Sequence, residues 1–403
     1  MRGTFRSLRG FNFRVWSAGA LVSNVGTWMQ RTAQDWLVLT GLTHNNATAV
    51  GVVMALQFGP QALLLPLTGF AADRLDRRRL LVATQAAMGT LALALGVLTL
   101  TGLVRLWQVY LLALLLGCVA AFDAPARQTF VSDLVGDDDL PNAVALNSMS
   151  FNAGRLLGPA VAGLLVGVVG FGWVFLINAA SFGAVLASLG TLRLGELHHS
   201  DRALRTPGNL AAGLNYVRQR ADLCAVLLML FLIGTFGFNF AIYIATMSVS
   251  VFHAGASQYG LLTSVMALGS VAGALVAAMR GRPEIPRLLA GAAVFGFALA
   301  VAAVMPDYRL FGCALFVVGL AAQVFSTSTN SLVQLSTEPA MRGRVMAILL
   351  AIALGGTPIG APIAGWVADT FGPRWALALA AASGLGAAIV AMRYLARARR
   401  GHT

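Results

Sequence analysis

The 403-residue chain is 58% hydrophobic and only 11% charged, with a net charge of +13 and a mean hydropathy of +0.77. Soluble domains average roughly 45–50% apolar and 25% charged residues, so the balance excludes an ordinary water-soluble enzyme and points to a polytopic membrane protein. All 28 basic residues are arginine, which leaves no lysine for a GxxxxGK[ST] phosphate loop or a Schiff base.

An α-helix needs about 20 apolar residues to cross the hydrocarbon core. Scanning for such stretches predicts twelve spans, over 15–40, 47–71, 80–101, 106–126, 142–168, 172–192, 223–249, 258–279, 287–305, 309–333, 345–368 and 374–393. The expected fold class is therefore an all-α polytopic membrane protein of twelve transmembrane helices in two pseudo-symmetric six-helix bundles. The N-terminal bundle covers 1–192, a linker 193–222 and the C-terminal bundle 223–403. The first run is too long and polar for a cleaved signal peptide and is expected to remain as a helix.

With an even number of spans both termini share a side, and nearly all extramembrane arginines fall on it. Only Arg105, Arg309 and Arg374 lie opposite. This is the positive-inside pattern, so the termini are expected in the cytoplasm. The basic charge then needs the bilayer as partner and no nucleic acid.

Taken in chain order, the first helix places Asn24, Trp28, Arg31 and Asp35 on one polar face. Ionisable residues at membrane depth mark functional sites by default. Arg31 and Asp35 read either as a structural ion pair or as a proton site that responds to a nearby guanidinium. Arg155, midway along the fifth helix, has no acid on its own helix and needs a partner such as Asp35 or a substrate carboxylate. The first helix also contributes Asn24 and Trp28 to an expected substrate pocket.

The stretch GFAADRLDRRRLL, Gly69 to Leu81, joins the second and third helices. Arg77, Arg78 and Arg79 serve topology, whereas acids count little for it. Asp73 shares a helical face with Gly69. Asp123 and Arg127, at i, i+4 spacing, lie near the inner end of the fourth helix and read as members of a cytoplasmic gate. The fifth helix carries AGRLLGPAVAG, with Gly154, Gly158, Pro159 and Gly163, residues that permit close helix approach and a bend.

The central linker RLGELHHSDRALRTPGNLAAGLNYVRQRAD ends in a short amphipathic helix, expected to rest Leu210, Leu214 and Val217 on the membrane surface. In the seventh helix Phe236, Asn239, Phe240 and Tyr243 form an aromatic face. In the tenth Gln323, Thr327, Asn330 and Gln334 form a neutral polar stripe. Together these suit a bulky amphipathic ligand. An offset of 203 brings Pro159 over Pro362, and VMAL recurs at 53–56 and 265–268, as expected of repeated halves. The five histidines fall in expected loops or at the terminus, and the three cysteines lack ligand spacing. No metal and no cofactor are expected.

GFAADRLDRRRLL resembles the GxxxDRxGRR loop signature of the major facilitator superfamily, matching at Gly69, Asp73, Arg74, Arg77 and Arg78. Asp76 stands where the family usually has glycine. AGRLLGPAVAG resembles the Gly-Pro motif of the superfamily's antiporters. The run Phe122 to Ser148 is similar to a bacterial exporter branch that includes siderophore and macrolide exporters. The resemblance implies a secondary transporter, not an enzyme: a proton-coupled exporter of an antibiotic, drug or siderophore, monomeric, in a bacterial inner membrane. It also implies that Asp73 closes a cytoplasmic latch. A metabolite importer or facilitator, and a non-transporting membrane sensor, stay open as alternatives.

Overall fold

The computed structural model describes residues 5–64, 67–68, 75–198, 210–279, 284–339 and 341–400, and among them all regular structure is helical. Helix α1 (Phe11–Trp36) continues as a π-helix over Leu37–Leu42, and α2 spans Ala47–Leu63. They are followed by α3 (Arg77–Leu100), α4 (Leu106–Leu134), α5 (Leu140–Val169) and α6 (Phe171–Gly190). Helix α7 (Leu210–Gln219) precedes a broken span. It consists of α8 (Ala221–Leu232), a π-segment Ile233–Gly237, α9 (Phe240–Thr246) and a second π-segment Met247–Val251. Last come α10 (Ala256–Met279), α11 (Ile285–Val304), α12 (Tyr308–Ser336), α13 (Arg342–Phe371) and α14 (Pro373–Arg400).

Among the described residues ten helices are long and apolar enough to cross a membrane, taking Ala221–Val251 as one. Two of the twelve expected spans are outside this set for different reasons. At 26 residues α1 is long enough, but its row of polar side chains lowers its hydropathy. Helix α2 is apolar but is described over only 17 residues. Large apolar side chains are exposed on many helices, among them Leu164, Val168, Phe297, Trp366 and Trp375. In water so much exposed apolar surface would drive aggregation; on a membrane protein it is the lipid-facing surface.

By contacts the chain divides into two compact units, Met1–Leu42 with Pro60–Leu204 and Gly255–Leu261, and Thr43–Gly59 with Arg205–Ala254 and Leu262–Thr403. The grouping is not strictly sequential, because glycine lets backbones meet. A Cβ at Gly51 would strike the carbonyl of Ala361, which places the start of α2 with α13. A Cβ at Gly260 would strike the carbonyl of Pro159, which places the start of α10 with α5. Left-handed His44 stands three residues before α2, as left-handed His253 does before α10. Gly170 and Gly372, with φ of 80° and 102°, stand immediately before α6 and α14. These paired geometries repeat the internal similarity read from the sequence.

In the first unit Phe13 and Trp16 of α1 are buried with Leu81 of α3, Phe130 and Leu134 of α4, and Val185 and Leu189 of α6. Trp16 meets Phe130 edge to face at 5.3 Å, the arrangement that aromatic quadrupoles favour.

The amphipathic helix expected at 209–220 is α7, and it packs against protein. Val217 is buried, a Cβ on Gly213 would press on the Arg344 side chain, and the Tyr216 hydroxyl lies 3.5 Å from the Glu338 amide. Leu214 is exposed. The helix docks on the ends of α12 and α13 through Gly213, Tyr216 and Val217, so of the apolar face expected on the membrane surface Val217 is buried against protein and Leu214 is not. Arg220 anchors its end, donating to both Asp222 oxygens at 2.9 and 2.7 Å and to the Ser336 carbonyl at 3.2 Å. The bonds to Asp222 hold the Arg220 guanidinium above its ordinary pKa.

Candidate functional site

The site in the first unit starts from two glycines. An ideal Cβ at Gly154 would lie 2.7 Å from the Asn24 carbonyl carbon, and one at Gly158 2.6 Å from Trp28 Cβ. Only hydrogen at these positions lets α5 lie against α1 backbone to backbone. Pro159 and Gly163 meet the start of α10, where Ser257 Oγ donates to the Gly163 carbonyl at 2.9 Å. All four residues of the Gly-Pro motif therefore lie at close helix contacts.

This contact sets Arg155, between the two glycines, beside Trp28. The Arg155 guanidinium lies 5.9 Å from the Trp28 ring and that of Arg31 5.1 Å from it. Both distances are within cation–π range. Phe151 meets Trp28 edge to face at 5.8 Å. Asp35, one of the two partners expected for Arg155 beside a substrate carboxylate, is buried one turn beyond Arg31 and feels the charge of that residue. Among the described residues Arg155 forms no ion pair.

A polar ladder continues from Asn24. Its Nδ2 donates to Ser150 Oγ at 3.0 Å, and Arg127 Nη1 approaches its Oδ1 at 3.5 Å. Arg127 Nε pairs with Asp123 at 3.3 Å. The buried Asp123 Oδ1 accepts from Thr84 Oγ1 at 2.8 Å and Gln85 Nε2 at 2.7 Å. Asp123 and Arg127, expected in a cytoplasmic gate, thus tie α4 to α3 and α1 inside one unit. Composition concealed this role, since neutral Thr84 and Gln85 supply half of the bonds. A second buried pair, Asn178 Nδ2 donating to Gln30 Oε1 at 2.6 Å, locks α1 to α6.

Of the other expected gate residues, Gly69, Asp73 and Arg74 lie outside the described residues. Arg77 donates to Asp133 at 2.6 Å, and Arg78 Nε donates to the Leu189 carbonyl at 3.0 Å, both bonds within the first unit. Asp76 has φ of −64° and accepts from the Arg79 amide at 2.8 Å. It is the N-cap of α3, so no left-handed turn is needed where the resembling signature carries glycine.

The second unit uses its expected pocket residues partly for its own backbone. Asn239 is fully buried and donates to the Thr235 carbonyl at 2.7 Å; Tyr243 is buried and its hydroxyl donates to the Phe236 carbonyl. These bonds satisfy carbonyls freed where the span breaks into π-segments, so neither group lines an open wall. Phe236 and Phe240 are half-buried, and Phe240 clusters with Phe238 and Phe295 at ring distances of 5.8–6.2 Å. Phe238 was legible in the run FGFNF.

Along α12 Gln323 Nε2 donates to Thr327 at 3.1 Å, Asn330 donates to the Ser326 carbonyl at 3.0 Å, and Asn330 and Gln334 are exposed. Thr327 also borders a cavity of about 510 Å³ among α10, α11 and α12, with Arg287 and Ser331 in its wall.

Ionisable side chains within long apolar helices, Arg31 and Asp35 on α1 and Arg155 on α5, mark functional positions in a membrane protein. The sequence model described as transmembrane secretion effector matches residues 2–401. This chain belongs to that family of the major facilitator superfamily. Its members are transporters, and the chain is a multi-pass membrane transporter and not an enzyme.

Within the superfamily the chain is 26% identical to the staphyloferrin A transporter of Staphylococcus aureus, over 86% of this chain and 87% of the relative. It is 28% identical to the enterobactin exporter EntS of Shigella flexneri, covering 88% and 84%. It is 26% identical to the multidrug efflux pump Tap of Mycolicibacterium fortuitum, covering 88% of each. Among solved structures, a POT family transporter in complex with 5-aminolevulinic acid matches with a TM-score of 0.75 at 13% identity over 98% of both chains. The nucleoside transporter NupG matches at 0.73 and 13%, over 96% of this chain and 99% of that one. At such identities these structures establish the fold alone, that of the major facilitators.

Proposed function

We propose that this transporter is a proton-coupled exporter of a hydrophobic or amphipathic small molecule, an antibiotic, drug or siderophore, working by alternating access. In this reading it acts as a monomer in a bacterial cytoplasmic membrane with both termini inside. Bundles over 1–192 and 223–403 are joined by the linker over 193–222. The observation that carries the reading is the buried carboxyl of Asp35, one turn from Arg31 within a membrane helix. A carboxylate at that depth is costly unless it pairs or takes a proton, so its protonation is coupled to where the neighbouring guanidinium stands. The names of the relatives support the direction and the substrate range.

The test is accumulation of a panel of antibiotics and siderophores in exporter-deleted cells, with and without a proton uncoupler, for wild type and Asp35→Asn. Wild type lowers accumulation of at least one compound, the uncoupler restores it, and Asp35→Asn loses uphill export. Unchanged accumulation of every compound would sink export, and raised accumulation would establish uptake in its place. Export indifferent to the uncoupler would remove the proton.

A further inference from the structure

Two guanidiniums share one indole in the first unit, and that of Arg155 has no ion-pair partner among the described residues. Arg31 and Arg155 both approach the Trp28 ring, and Asp35 acts on Arg31. Asp123 is engaged by Arg127, Thr84 and Gln85. Arg155 sits at the middle of a 30-residue helix and forms no ion pair among the described residues. A cation–π contact orients a guanidinium but does not neutralise it, and an uncompensated charge at membrane depth calls for a counter-charge.

We infer that Trp28, Arg31 and Arg155 form a recognition site for an anionic group, a carboxylate or ionised phenol, on a substrate that also carries an aromatic or flat apolar portion. The guanidinium fork of Arg155 matches a carboxylate's two oxygens. Phe151, half exposed and edge-on to Trp28, supplies apolar surface one helical turn away. Gly154 and Gly158 hold Arg155 in place before any ligand arrives, so little ordering is needed on binding. The inference rests on the transport reading above and narrows its substrate: neutral and cationic compounds gain nothing from this site.

Binding is measured on purified protein in nanodiscs at pH 7.5, with empty nanodiscs as blank, using 2-naphthoate and its neutral counterpart 2-naphthamide. A charge-assisted bond predicts that wild type binds the acid about ten- to a hundredfold more tightly than the amide. Arg155→Gln abolishes the preference and Arg155→Lys keeps part of it. Equal binding of the two probes, no saturable binding of the acid, or a preference that survives Arg155→Gln overturns the site. The wild-type comparison needs no variant to fold. It also needs neither a proton gradient nor a direction of transport, so its failure is separable from failure of the export reading.

Discussion

A carboxylate at position 76 does what glycine does not: it closes the first turn of α3 by accepting from the Arg79 amide at 2.8 Å. Exchanging an N-cap acid for alanine costs about 1 kcal/mol, while glycine costs only a few tenths. Asp76→Ala is therefore expected to lower the thermal midpoint of the purified protein while Asp76→Gly barely moves it, with transport unchanged in both. An equal loss in the two variants would mean that the cap carries none of the stability. The same reasoning separates the two acids of the arginine-rich stretch. Asp76 has a local structural partner, whereas Asp73 lies outside the described residues. Elsewhere residue type was a poor guide to role, because Asn239 and Tyr243 look like pocket groups yet donate to Thr235 and Phe236 carbonyls.

Helices in this protein meet where side chains are missing. In lipid there is little hydrophobic drive between apolar helices, so close packing by small residues decides which pairs associate. The α1–α5 contact is the sharpest case. A Cβ on residue 158 would sit 2.6 Å from Trp28 Cβ and 2.8 Å from the Met29 amide nitrogen. Gly158→Val is expected to separate the two helices, withdraw Arg155 from Trp28 and reduce folded yield sharply, since overpacking of this kind costs about 1–3 kcal/mol or more. Size-exclusion profiles and thermal midpoints check it, and a variant as stable as wild type would show that the helices are free to part. Helix α7 makes a complementary point. Its apolar periodicity specifies a helix, but a helix next to other helices packs with the residues that fit them. Gly213 and Val217 fit α12 and α13, and Leu214 does not.

At the scale of the molecule, arginine placement predicts topology. The excess of arginine in the loops on one side orients each span as it inserts, so both termini are expected in the cytoplasm and the loop at 305–307, beside Arg309, outside. Reporter fusions check this. A fluorescent protein after the C-terminus is expected to be bright and alkaline phosphatase in the 305–307 loop active, and the reverse pattern would overturn the orientation.

Hydropathy and charge are properties of the chain in one dimension, so the sequence by itself determined the membrane fold, ten of the twelve expected spans and the family. It also singled out Asp35, Arg31 and Arg155, because charge is rare at membrane depth. Which atoms these groups meet is a property of three dimensions. Only the tertiary structure brought Arg155 to Trp28 instead of Asp35, drew Asp123 into a ladder with Thr84 and Gln85, and spent Tyr243 on a broken helix. In each case the deciding partner lies on a different helix or on the backbone, and helix-to-helix distance is set by glycine contacts that no periodicity records.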